Sequence, residues 1–406
     1  MDGMKDFPTE FTRPFFVSFN YLRKCKIGYF DNDVPFWQKY WRFIIKTVLA
    51  FLNLISMWMY LFSVFGSQMN IADIAFMATS CLIALQSVLK ATVLFPKKKE
   101  IENLIRGLAR MWKTENLNNI QTKQKNRRLK QMNVGLKVFY WASRASVVLN
   151  LGPQLIYTVV GKIRQQDFEF ILPFGYVYPF DPVRNWGRYL VVYFFQCYSF
   201  VHLTDYYLGA QCLSITLCLQ LSTEFALLRE DIKNAIPTAN KNIITQETKY
   251  VSKNMRIESM VKNHQELIKL AELLNYIFNQ MVFIDLCFFA VILCFFAISI
   301  SVSHDVMDRI THITSLLTVL ALVYIVCYYG EMLKEESAAI AESAYENPWY
   351  KGGTHYQKTI ALVIMRAQHP CHVTSLNYAP ISLNTFTKVV SSTWSYFSLA
   401  MTIVQK

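Results

Sequence analysis

The sequence predicts an all-α membrane protein with seven transmembrane helices. Three observations carry this. The 406 residues are 53% hydrophobic and 17% charged, with mean hydropathy +0.22; a soluble chain of that length carries about a quarter charged residues. Seven apolar runs are long enough to cross a hydrocarbon core of ~30 Å, which takes about 20 helical residues. Lys and Arg are distributed very unevenly among the connections between those runs. Scarce Gly (13) and Pro (12) with 15% aromatic residues exclude disorder and collagen-like repeats.

Residues 1–42 form an amino-terminal segment whose opening, MDGMKDFPTEFTRPF, lacks a signal-peptide pattern. Transmembrane helices one to four occupy 43–220. The first is Phe43–Phe65, uncharged from Thr47 onward, and the second is Ile71–Phe95, charged only at Asp73 and Lys90. The third, Val138–Gly161, carries Arg144. The fourth starts at Tyr189 and stays uncharged to Thr223 except at Asp205. Residues 221–282 form a connection and helix extension. Helices five and six lie in 283–330, as Phe283–Val302 with Asp285 near its start, and Ile310–Gly330. Residues 331–380 make a cytosolic anchor, and 381–406 hold the seventh helix, with Lys388 near its start. Runs this long and continuous are helices, not the alternating strands of a barrel.

Thirty of the 41 Lys and Arg fall in 1–42, 97–131, 221–284 and 331–380, and six on the other side of the spans. The amino terminus is therefore expected in the cytoplasm and the carboxyl terminus, after seven crossings, outside. This reverses a G-protein-coupled receptor, whose span-three (D/E)RY is also missing; Asn347-Pro348-Trp349-Tyr350 lies in a connection and is not that class's span-seven NPxxY. The net charge of +13 is mostly this bias and calls for no nucleic-acid partner.

Spans four to six run on past the membrane. Tyr189–Thr223 would be roughly 50 Å long as helix. The fifth span is preceded by apolar residues at helical spacing (Ile257, Val261, Ile268, Leu270, Leu273, Leu274, Ile277), and the sixth continues into GEMLKEESAAIAESAYENPWY. TIALVIMRA is too short to span and reads as a buried cytosolic helix. These pieces would meet in a compact anchor, where Ala338, Ala339, Ala341, Ser343 and Ala344 allow close approach, within the chain or between subunits. Thr238–Ser252 reads as a mobile polar loop. The aromatic connection Ile163–Gly187 is too apolar for a free loop and should pack over the outer face.

No enzymatic pattern is present: no GxGxxG, GxxxxGK[ST], HExxH or GxSxG, and no internal repeat that would suggest a transporter. The nine cysteines are odd in number, without metal-type spacing, and no cofactor or metal is implied. His264, His304, His312, His355, His369 and His372 read as surface or capping residues. His202 lies three residues before Asp205, so the two either satisfy each other or serve a ligand, ion or gate. Arg144 is a further candidate counter-ion for Asp205. Lys46, Lys90, Lys388 and Asp285 sit near the cytoplasmic boundary and can snorkel.

The outer halves of spans two, three, four and six are apolar with sparse hydroxyls and amides. They offer Phe76, Thr79, Ser80 and Ile83; Val147, Asn150, Leu151, Gln154 and Tyr157; Tyr193, Gln196, Cys197 and Phe200; and Leu317, Thr318, Ala321 and Tyr324. Such a lining suits a small hydrophobic ligand, although each residue could equally pack helix on helix. The seventh helix, ISLNTFTKVVSSTWSYFSLAMTIV, mixes Ser and Thr throughout. These either glue helices together or line a wet path, with Leu399 and Ile403 as an apolar constriction.

The carboxyl-terminal third resembles the insect odorant receptor family. The residues that carry it are CYYGEMLKEESAAIAESAYENPWY (327–350), MRAQHP (365–370) and SLNTFTKVVSSTWSYFSLA (382–400), supported by Leu172, Pro173, Tyr178, Pro179, Phe180 and Asp181, by Asp205, and by VKNHQELIKLAELLNYIF (261–278). The resemblance implies a ligand-gated, non-selective cation channel in which four subunits meet through the cytosolic anchor. The last helices would surround one pore, and a volatile odorant would bind among spans two, three, four and six. It also implies an odorant co-receptor partner, a plasma-membrane, multi-pass location in the dendrite of an olfactory neuron, and contact with membrane lipid. The chain looks like a tuning subunit, since it lacks the co-receptor's long insertion between spans four and five. Matching the closing motif places Leu399, Thr402 and Ile403 at the gate, Thr402 standing where the co-receptor has Gln. A gustatory-type channel working without the co-receptor is the alternative, disfavoured by the YYGE and SYF stretches.

Overall fold

The computed structural model describes residues 4, 6–30, 35–64, 71–115, 117–164, 170–235, 257–303 and 305–404. Thr238–Ser252, His304 and Lys406 lie outside the described residues. Among the described residues eleven α-helices follow one another: α1 (Thr9–Thr12), α2 (Phe15–Lys24), α3 (Phe36–Val64), α4 (Ile71–Leu94), α5 (Lys98–Met111), α6 (Asn119–Ile163), α7 (Trp186–Lys233), α8 (Ile257–Val302), α9 (Val306–Glu346), α10 (Thr354–Ala367) and α11 (Leu383–Val404). Between α10 and α11 two short strands, Thr374–Ser375 and Ala379–Pro380, pair antiparallel.

All seven expected spans fall on helices: α3, α4, α6, α7, α8, α9 and α11. Five of these (α3, α4, α7, α8, α9) are long and apolar enough to cross a membrane. The other two are more polar for visible reasons. The expected span in α6 carries Arg144, Asn150 and Gln154, and α11 mixes Ser and Thr with Asn384 and Lys388. Helices α7 (48 residues), α8 (46) and α9 (41) reach about 60–70 Å, twice a bilayer core. Each therefore exceeds a bilayer core, as the sequence predicts for spans four to six.

One large core runs from the amino-terminal segment to the anchor. Phe11, Phe15 and Tyr21 are fully buried, and Phe11 meets Trp112 at 5.4 Å. Helix α2 lies on α7 at Gly209, where a Cβ would come within 3.0 Å of Leu22 and Tyr21, so only glycine admits this approach. At the other end Asn347 is buried and closes the end of α7. Its Nδ2 donates to the carbonyl oxygens of Ile232 (2.9 Å) and Ala235 (2.7 Å), and its Oδ1 accepts from the Tyr356 hydroxyl (2.9 Å). The Asn-Pro-Trp-Tyr stretch is thus a helix-end seal, satisfying carbonyls that a helix terminus leaves unpaired. Glu336 joins Arg128 of α6 and Arg229 of α7 (2.9 Å), which ties three helices at the anchor. Helix α10 buries one face through Tyr356, Ile360 and Val363, while Leu362 and Met365 stay exposed, so it is half-buried and not enclosed.

Glu224, just past the stretch of α7 that the sequence predicts to span, is buried and accepts from the Lys113 amide at 3.3 Å. Burial raises its pKa from 4.5 to about 8, with Lys125 and Lys113 opposing. The native state therefore holds a proton that the unfolded chain has released, and stability falls as pH rises from about 4.5 to about 8. Glu224→Gln is expected to flatten that slope, raising the melting temperature at pH 8.5 far more than at pH 5. Equal shifts at both pH values would refute this account.

Candidate functional site

The outer region is built by α4, α6 and α7 with help from α3. Met57, Leu61, Met77, Ala78, Cys81, Leu151 and Phe174 form a buried cluster, and Val147, Cys197, Phe200 and Phe295 pack on it. Val147, Leu151, Cys197 and Phe200 of the predicted set therefore converge. Phe76 of α4 meets the His312 ring of α9 at 5.0 Å. Asn150 of α6 donates from Nδ2 to Ser315 Oγ of α9 at 3.2 Å. Tyr193 is buried and its hydroxyl donates to the Leu151 carbonyl. Thr79 and Ser80 are buried in α4, the Thr79 hydroxyl spent on the Ala75 carbonyl at 2.8 Å, while Ile83 and Gln154 are half-buried.

The sixth span is rotated relative to expectation. Leu317, Ala321 and Tyr324 are exposed, and Thr318 is half-buried with its hydroxyl on the Thr314 carbonyl. The inward face of α9 is instead His312, Ser315, Leu322 and Val323. Tyr157 likewise points outward, 73% exposed. His312 differs from its reading as a surface or capping residue: it is buried, and its Nδ1 has no hydrogen-bond partner among the described residues. His264 is buried as well. The (i, i+3) spacing of His312 and Ser315 was the available signal, since both share a face that the apolar residues 317, 321 and 324 do not.

The outer connection packs down as its composition suggested, and Phe174 is its plug. That ring meets Phe200 at 5.0 Å, and the backbone around it is held by Gln196, whose Oε1 accepts from the Phe174 amide and whose Nε2 donates to its carbonyl, each at 3.2 Å. Gly175 lies so close to Tyr60 and Met77 that a Cβ would overlap both. Ser56 and Asn53 of α3 fasten Val177 and Tyr178. Sequence reasoning missed Phe174, Met57, Leu61 and Met77.

Two pairs of opposite charge meet within the expected spans. Arg144 bonds Asp205, and its guanidinium lies over the Tyr21 ring at 4.8 Å. His202 bonds not Asp205 but Thr47 Oγ1, at 3.3 Å. Lys90 does not snorkel. It is wholly buried, 2.6 Å from Asp285 and 2.7 Å from Gln211 Oε1, with the Tyr207 ring 3.8 Å away. Gln86 donates to the same Asp285 carboxylate at 2.7 Å. Lys46 lies over the Tyr198 ring, and Lys388 is exposed.

Helix α11 is the least covered of the long helices. It packs on α8 through Val389, Phe397 and Ala400, near Ala75, Cys294 and Ile298. The rest is open. Asn384, Lys388, Ser391, Ser395, Ser398 and Thr402 recur at four and three residues and are all exposed, a polar stripe along one face. Their hydroxyls bond within the helix, Ser395 to the Ser391 carbonyl (3.1 Å) and Thr402 to the Ser398 carbonyl (2.9 Å). Leu399 adjoins the stripe, 64% exposed. Of Ile403 only the backbone is described, within the helix. No group of three or more His, Cys, Asp or Glu is placed to hold a metal among the described residues.

A family model described as the 7tm odorant receptor matches residues 70–394. The putative odorant receptor 92a of Drosophila melanogaster is 27% identical over 243 residues, covering 58% of this chain and 55% of its own length, so the chain spans about half of that relative. Odorant receptor 85f of the same fly is 22% identical, covering 78% and 77%. Odorant receptor 10 of Aedes albopictus is 19% identical, covering 89% and 94%. The solved insect olfactory receptor OR5 of Machilis hrabei shares the fold with TM-score 0.73 at 13% identity, over 95% of this chain and 97% of that one. Its complex with eugenol gives 0.75 over 97% of each.

Proposed function

Because the chain belongs to the 7tm odorant receptor family, we propose that it is the odorant-binding subunit of a ligand-gated, non-selective cation channel. It would assemble with the odorant co-receptor as a heterotetramer in the plasma membrane of an olfactory neuron dendrite. The observation that carries this reading is the polar stripe of α11. A helix that buries little of itself in its own chain, and shows water-compatible groups every turn, is suited to line a shared aqueous path. Leu399, Thr402 and Ile403 would form the gate at its end. The charge bias supports an amino terminus inside and the end of α11 outside, with α6 and α11 as the two further crossings. Exposed Leu362 and Met365 of α10 and Tyr345 of α9 supply apolar surface for neighbouring subunits at the anchor.

The ligand would bind in the outer region between α4, α6, α7 and α9. A volatile there is held by apolar burial, at ~25 cal/mol per Å2 several kcal/mol in total. The polar handles would be His312 Nδ1 and the Asn150–Ser315 pair, which fits a neutral oxygenated volatile; the eugenol bound by the Machilis hrabei receptor supports that class. The ligand opens the gate only by binding the open state more tightly.

Recording from cells that express the full chain with and without the co-receptor, across a panel of volatiles, tests the proposal. Odorant-evoked cation current from the pair alone is expected. Strong current without the co-receptor would favour the gustatory-type alternative, and no current in either case would overturn the channel. Leu399→Ala and Ile403→Ala are expected to raise basal current or change the evoked current about twofold or more. Unchanged currents in both would remove these residues from the gate.

A further inference from the structure

A cleft of about 320 Å3 opens between the end of α2 and the start of α3, away from the odorant site and from α11. Arg23, Lys26, Gln38, Trp41 and Arg42 line it together with Ile27 and Gly28. Among the described residues, none of its three cations is paired with a carboxylate; Arg42 lies only over the Trp41 ring, at 5.2 Å. Such a concentration of positive charge in a concave site favours an anion.

Lys26 adds an independent observation. It closes α2 in a left-handed backbone conformation, φ 64°. The Lys26 amide bonds the Arg23 carbonyl and the Ile27 amide bonds the Leu22 carbonyl, the helix ending that ordinarily takes glycine. A lysine there is held against its backbone preference, and its side chain lines the cleft. The location fits one source of anion. The cleft sits at the first turns of α3, where the apolar run beginning at Tyr40 enters the membrane, and Trp37 and Trp41 are exposed beside it, as tryptophans are at a headgroup layer.

We propose that this cleft binds the headgroup phosphate of an anionic phospholipid. Arg23 and Arg42 engage the phosphate oxygens, Lys26 adds a third charge, Gln38 donates to the headgroup, and Trp41 borders the glycerol region. Occupancy braces α2, which lies along α7, against the first span. The site rests on the reading of α3 as a membrane helix but not on the channel activity.

The test uses the full chain purified with its co-receptor and reconstituted in nanodiscs of phosphatidylcholine, with or without phosphatidylserine or phosphatidylinositol 4,5-bisphosphate. Co-purifying lipid is counted by native mass spectrometry. At least a tenfold preference for anionic lipid is expected, lost in Arg23→Gln/Lys26→Gln/Arg42→Gln and kept in a control neutralised elsewhere, Arg164→Gln/Arg184→Gln/Arg188→Gln. Lys26→Gly is expected to raise the melting temperature while weakening lipid retention, which separates binding from folding. Equal retention by both triple variants would overturn the proposal. So would displacement by millimolar inorganic phosphate, which would make the site one for a free anion. Lipid retention without odorant current would sink the channel reading and leave this site standing.

Discussion

Lys90→Met is expected to destabilise the receptor by about 3–5 kcal/mol, enough to remove most folded protein from the membrane. Lys90 and Asp285 are both wholly buried, in α4 and α8, and their ion pair is the only full charge compensation either has among the described residues. Gln211 and Gln86 contribute hydrogen bonds but no charge. Removing the ammonium leaves a carboxylate stranded away from water, a far larger cost than losing the hydrogen bonds alone. The double variant Lys90→Met/Asp285→Leu removes both charges and is expected to recover most of the loss, since apolar replacements of a buried pair are often neutral or better. Thermal melting of detergent-solubilised receptor, followed by size-exclusion of a fluorescent fusion, measures both. A single variant as stable as the parent would show that Asp285 is protonated or reached by water, and the pair would lose its structural meaning.

That pair also marks where the sequence stops being legible. A lysine five residues before the end of an apolar run is indistinguishable, in one dimension, from one that snorkels. Only the packing of α4 against α8 and α7 decides that its ammonium turns inward to Asp285, Gln211 and the Tyr207 ring. Arg144 and Asp205 were easier, because two opposite charges in separate apolar runs have few partners other than each other. The helices themselves were readable from length and apolar content, since hydropathy is a local property. The over-long α7, α8 and α9 were readable for the same reason.

The ligand region shows the other limit. The residues expected on α4, α6 and α7 mostly turn inward, whereas those expected on α9 mostly turn outward. A helix apolar all round has no moment to reveal which side meets protein and which meets lipid, so Leu317, Ala321 and Tyr324 looked as good as Leu322 and Val323. The polar residues broke that degeneracy: buried His312 and Ser315 face Phe76 and Asn150. Phe174 lay beyond sequence reasoning, because an aromatic connection says that it packs but not which ring descends. Gln196, buried and bonded to both sides of the Phe174 backbone, is the residue that chooses.

Ser398→Leu should cut odorant-evoked current at least ~10-fold while leaving surface expression unchanged. Ser398 lies in the exposed polar stripe of α11, between Ser395 and Thr402 and beside Leu399. If the stripe borders the ions' path, a leucine there adds an apolar surface of roughly 50–100 Å2 to a narrow passage, worth ~1–3 kcal/mol against hydration. A barrier of 1.4 kcal/mol is already a tenfold loss of rate. The added bulk adjoins Leu399, so it would extend the proposed apolar constriction and favour its dewetted state. Ser398→Thr retains the hydroxyl and should conduct near normally. Val390→Leu, on another exposed face of the same helix, should do the same. Whole-cell currents normalised to surface label, with the co-receptor unchanged, make the comparison. If Ser398→Leu and Val390→Leu behave alike, the stripe faces lipid or a packing neighbour, and its hydroxyls serve the helix they are already bonded to.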